Sequence, residues 1–74
     1  MSVFYYYNLN FDKDGNHIIH TSECKYLPII KNRKLIGIYN HCTEAIRAAG
    51  YTTYKSNFNG CHYCCSDCRE DHSL

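Results

Sequence analysis

The sequence predicts a small α+β domain stapled by a metal site rather than held by a large core. Three observations carry this. The chain has 74 residues, it spends six of them on cysteine, and its apolar pattern switches from period two near the N-terminus to a helical stripe after residue 40. A chain of this length buries a small fraction of its surface. Eight of its eleven aromatic residues are tyrosine and none is tryptophan, so much of its apolar bulk is amphipathic. Domains in that position commonly recruit disulfides or a structural metal.

The elements follow in order. Val3 to Leu9 alternates, with Val3, Tyr5, Tyr7 and Leu9 on one face and Phe4, Tyr6 and Asn8 on the other, which predicts a strand. Asp12-Lys13-Asp14-Gly15-Asn16 is a turn, because Asp, Asn and Gly accept left-handed geometry. His17-Ile18-Ile19-His20 is the returning strand of an N-terminal hairpin. Residues 21–27 have room for one helical turn, which Pro28 stops. Leu35 to Tyr39 is a short third strand. The central helix follows, with Cys42, Ala45, Ile46 and Ala49 at i, i+3, i+4 and i+7. Asn40 or Thr43 can cap its start, Glu44 suits the positive end of its dipole, and Gly50 can close it. Residues 51–60 read as polar and irregular. A C-terminal C-x2-C knuckle, opening a short helix, completes a single domain over residues 1–74, with residues 69–74 as a frayed tail.

The N-terminus carries no basic region followed by an apolar run, as a signal peptide would, and no stretch approaches the ~18 apolar residues of a membrane span. The expectation is a cytoplasmic, monomeric protein with no membrane association. Cytosolic thiols stay reduced, so clustered cysteines there point to metal before disulfides. Eight Lys and Arg against seven Asp and Glu create no global field for nucleic acid. Lys31, Arg33 and Lys34 do cluster, and with Tyr6 they are a weak candidate binding surface.

Residues 60–68, GCHYCCSDC, hold four of the six cysteines. On a continuous helix Cys61, Cys64, Cys65 and Cys68 span two turns, ~10 Å of rise, too far for one tetrahedral ion. Two half-motifs fit better. His20-x3-Cys24 and Cys61-x2-Cys64 each deliver a pair of ligands, and zinc takes four such N and S donors in a tetrahedron. The expected site is therefore one Zn2+ held by His20, Cys24, Cys61 and Cys64. Cys65 and Cys68 remain alternative ligands or small buried hydrophobes, and Cys42 belongs to the helix's apolar stripe.

The order H-x3-C-K-Y-L (His20, Cys24, Lys25, Tyr26, Leu27), then Glu44-Ala45 and Gly50-Tyr51, then Cys61-x2-Cys64, resembles the Ada-type metal-binding fold over roughly residues 15–65. Such modules occur in the Ada DNA-repair protein, and similar zinc-binding domains are appended to some nucleases and DNA-uptake proteins. The longer span from Gly50-Tyr51 to Cys61 and the additional cysteines depart from that pattern.

A site of one His and three Cys leaves no open coordination position, so the expectation is a protein that is not an enzyme. A phosphate cradle, a nucleophile elbow and the H-x-E with P-C-x2-C of zinc deaminases are absent from the sequence. The leading expectation is an interaction module for nucleic acid or protein, with tyrosines as stacking surfaces. The alternatives are thiol-based: an alkyl acceptor of the kind the resemblance implies, or a redox or metal-handling role for the surplus cysteines.

Overall fold

A computed structural model describes residues 2–70. Strand β1 (Val3–Asn8) pairs antiparallel with both β2 (His17–Thr21) and β3 (Arg33–Tyr39), and β4 (Phe58–Gly60) adds in parallel to β2, giving the order β3-β1-β2-β4. The helix α1 (Cys42–Thr53) connects β3 to β4. The α+β class, hairpin, third strand and helix are as the sequence predicts.

The hairpin turn is closed by Asp12, whose Oδ1 accepts from the Asp14 and Asn16 amides, both at 2.9 Å. Gly15 sits there at φ +80°, where a side chain would be strained. The register Tyr5↔Thr21, Tyr7↔Ile19 puts Tyr5, Tyr7 and Ile19 on one face. The apolar stripe of α1 covers that face, so the buried core is Tyr5, Ile19, Cys42, Ala45 and Ala49, joined by Cys61 and Cys65. Small residues at the helix positions let it approach closely. The pairs Phe4↔Ile38 and Tyr6↔Leu35 lie on the other face, where Phe4, Leu35 and Ile38 are exposed.

Three local expectations are corrected. The cap of α1 is His41, not Asn40 or Thr43: its ring accepts from the Thr43 amide, while Glu44 Oε1 accepts from the Asn40 and His41 amides. Together these satisfy three amide donors at the helix start. Gly50 lies inside the helix, which runs to Thr53 and ends on Tyr54 in the left-handed region at φ +59°. The stretch expected to be irregular ends in β4, because Asn59 is buried and Gly60 allows close packing. The short helix expected after the knuckle is there as a 3-10 turn. Cys61 to Cys64 form a turn, and Ser66–Cys68 is the 3-10 turn that follows.

Residues 69 and 70, placed in the expected tail, are both hydrogen-bonded to β4. Asn59 clamps Glu70, donating from Nδ2 to its carbonyl and accepting its amide on Oδ1, both at 2.8 Å. Arg69 donates to the Gly60 carbonyl at 3.3 Å. The rest of the expected tail, including His72, lies outside the described residues. Among those described, no helix is long and apolar enough to cross a membrane.

Candidate metal centre

His20 is on β2 opposite Tyr6, on the side of the strand away from Ile19. The chain then turns back twice, Cys24 N donating to the Thr21 carbonyl and Leu27 N to the Cys24 carbonyl. That folding returns Cys24 toward the strand it has just left. On the other side, β4 carries the ladder one step further, with Cys61 N donating to the Ile19 carbonyl at 3.0 Å. The knuckle closes through Cys65 N to the Cys61 carbonyl, also 3.0 Å. Parallel pairing with β2 is thus what brings the C-x2-C beside the H-x3-C.

The potential ligand atoms of His20, Cys24, Cys61 and Cys64 all lie within 4.8 Å of one another. Cys24 Sγ and Cys61 Sγ are 3.9 Å apart. A tetrahedral ion with metal–sulfur bonds of about 2.3 Å requires a sulfur–sulfur edge of about 3.8 Å. The spacing therefore fits an ion without a rearrangement of the backbone. Backbone donors aim at two of the sulfurs: Thr21 N at Cys64 Sγ and Tyr63 N at Cys61 Sγ, each at 3.4 Å. Such bonds favour the thiolate, the form that binds metal.

Without a cation, the rest of the site's electrostatics work against those thiolates. Burial pushes the Cys24 thiol up to about 12, and the neighbouring Cys64 and Cys61 sulfurs add to it against a lowering backbone bond at Tyr26. Cys64 is raised by its hydrogen bond with Cys65 and then by burial, while the His20 ring and the Thr21 amide pull it down. Crowded sulfurs in a poorly solvated pocket cannot share several negative charges, and a divalent cation reverses that balance. His20 is 5% exposed, and its Nδ1 has no hydrogen-bond partner. An imidazole buried with an unsatisfied nitrogen carries a desolvation cost. Outside the cluster, the Tyr26 and Tyr63 rings stack at 4.3 Å and tie the two half-motifs together.

The remaining cysteines divide. Cys65 is buried at 2% and its Sγ is 3.9 Å from Cys64 Sγ, yet it is not one of the four converging ligands. Cys68, the other alternative ligand, is joined to Cys42 by a disulfide across 26 residues. This corrects the expectation that Cys42 and Cys68 are simple packed thiols. Cys42 does lie in the core stripe, but its sulfur faces the turn after the knuckle. Sequence offers no signal for that pairing, which depends on where β4 delivers residues 61–68.

The weak binding surface is not gathered in one place. The Arg33 guanidinium lies 4.7 Å over the Tyr6 ring and donates to the Pro28 carbonyl. Lys34 pairs with Tyr7 and so stands on the opposite face, and Lys31 is exposed in the 3-10 turn Ile30–Asn32. His17, which sequence reasoning left aside, is buried among Tyr7, Phe11 and Phe58, with Nδ1 bound to the Asn8 carbonyl at 2.7 Å.

Comparison of the chain with protein-family models, curated proteins and solved structures returned no match.

Proposed function

We propose that this chain is a non-enzymatic zinc module in which one Zn2+, held by His20, Cys24, Cys61 and Cys64, is structural. The observation that carries the reading is the convergence of these four ligand atoms within 4.8 Å. Three sulfurs and one imidazole suit zinc, and four protein ligands leave it no open position for a substrate or an activated water. The zinc supplies cross-linking. It ties the exit of the hairpin to the knuckle after β4, which the sheet alone holds by a three-residue strand.

The module's role is then to present a surface to nucleic acid or protein. Two features support that use: the exposed sheet face at Phe4, Leu35 and Ile38, and the Tyr6–Arg33 pair beside it. Aromatic rings with basic neighbours suit bases or a peptide. The resemblance of the H-x3-C and C-x2-C segments to Ada-type modules agrees with the same ligand set. An alkyl-acceptor role is disfavoured by the neutral imidazole at the first ligand position, which makes the site less anionic and its sulfurs poorer nucleophiles.

Metal analysis of the purified protein, paired with chelation, tests the reading. The expected result is one tightly bound zinc in the disulfide-bonded protein and loss of much of the amide dispersion when it is stripped. Full retention of the folded spectrum without metal would overturn it.

A further inference from the structure

A second group of ligand atoms lies at the start of α1. His41, Cys42 and Cys68 bring one ring nitrogen and two sulfurs within 4.8 Å of one another. We propose that the Cys42–Cys68 pair is a redox-selected site: oxidised it is the disulfide, and reduced it joins His41 in binding a second zinc ion.

Three geometric features carry this. First, the two sulfurs need move little. A zinc bound to both sets them about 3.8 Å apart, against about 2.05 Å in a disulfide, a separation of under about 2 Å that side-chain rotation supplies. Second, His41 Nδ1 is 3.9 Å from Cys42 Sγ, close to the nitrogen–sulfur edge of about 3.6 Å in such a tetrahedron. Third, the far side of the ring has a carboxylate: Asp67 Oδ2 lies 3.9 Å from His41 Nε2. Ligating histidines commonly direct their second nitrogen to a carboxylate, which fixes the ring and raises its basicity. A cleft of about 410 Å³ lined by Thr43, Ile46, Arg47, Asp67, Cys68, Arg69 and Glu70 opens beside the pair, giving an ion or a reductant a path to Cys68.

The chemistry balances with a dithiol as reductant. Its thiolate attacks one sulfur of the pair, the Cys42–Cys68 bond breaks, and its second thiol closes the reductant's own disulfide. Two electrons and two protons pass to Cys42 and Cys68. Zinc then displaces both thiol protons to solvent, and two thiolates neutralise its charge. Binding through Nδ1 also takes the lone pair that accepts the Thr43 amide at 3.2 Å, so the cap of α1 loosens when the ion binds.

Native mass spectrometry of the full chain, with and without reduction by a phosphine and with added zinc, decides the matter. The expected counts are one zinc in the oxidised protein and two in the reduced protein. Cys42→Ser/Cys68→Ser should stay at one under both conditions. His41→Ala should weaken the second ion about tenfold or more. Because variants at the core can misfold, the wild-type chain supplies an independent readout. In the reduced protein, zinc should protect Cys42 and Cys68 from iodoacetamide and shift the Thr43 amide resonance. An equal zinc count before and after reduction, or a double variant that still gains an ion, would overturn the proposal. The oxidised count reports on the first site alone, so failure of either site is seen separately.

Discussion

At the residue scale, the three candidate ligand cysteines and the disulfide pair have different proposed roles, and substitutions should separate them. His20→Ala and Cys61→Ser each remove a proposed ligand from a buried cluster. Both should abolish tight zinc binding and lower stability as far as chelation does, read by thermal melts with and without metal. Cys42→Ala/Cys68→Ala leaves that cluster whole and should cost about 2–4 kcal/mol, the usual worth of a disulfide, while zinc stays bound at His20, Cys24, Cys61 and Cys64. Acidity should act on the first site with a definite sign. Cys24, pushed up to about 12, is protonated across the neutral range, and zinc must displace that proton. The metal-bound state holds fewer protons, so affinity rises with pH. The apparent Kd should fall about tenfold per pH unit for each proton displaced between about pH 6 and 8. A pH-independent Kd over that window would contradict thiol ligation.

At the element scale, β4 does more than its length suggests. A Cβ on Gly60 would collide with the Cys65 carbonyl oxygen and crowd the Arg69 amide nitrogen. Both obstacles are backbone, so they cannot swing aside. Gly60→Ala should therefore displace the knuckle from His20, costing about 1–3 kcal/mol and weakening zinc binding together with stability. Asn59 makes the same strand a clamp for the C-terminal segment, and its truncation strands the Glu70 amide and carbonyl. The end of α1 offers the opposite case. Tyr54 occupies left-handed geometry and is 95% exposed as a residue, so Tyr54→Gly removes strain and little packing. It should raise stability by about 0.5–1 kcal/mol in a denaturant titration, with zinc affinity unchanged.

At the scale of the whole molecule, the sheet alone is a thin support. The only fully buried large side chain among the described residues is Ile19, and the helix buries Cys42, Ala45 and Ala49, with Ile46 half-buried beside them. Such a core supplies only a few kcal/mol. The proposed zinc site and the disulfide divide the remaining work, one joining β2 to the knuckle and the other joining α1 to the turn behind it. Chelation of the oxidised protein should then leave a partly ordered chain, because the disulfide still closes the loop from residue 42 to 68. Chelation after reduction should unfold it completely, and circular dichroism of the two states should differ. Equal loss of structure in both would show that the disulfide contributes nothing beyond the zinc site.

Period-two alternation in Val3–Leu9 and the stripe at Cys42, Ala45, Ile46 and Ala49 determined the hairpin, the helix and the face the helix buries, since such periodicity is written locally. Which face of the strand is covered was decided by the packing of α1. The half-motifs His20-x3-Cys24 and Cys61-x2-Cys64 likewise marked candidate ligands by spacing alone. What the sequence could not contain was proximity. Asn59 and Gly60 resemble turn formers until a parallel partner strand gives them pairing and cover. His41 acts as a cap only because its ring folds back on the Thr43 amide. Cys68 meets Cys42 only because the knuckle breaks the helix that its spacing suggested. The cover of Asn59 and Gly60 and the meeting of Cys68 with Cys42 rest on long-range pairing of β2 with β4, which no local pattern encodes, and that pairing brings the four candidate ligands together.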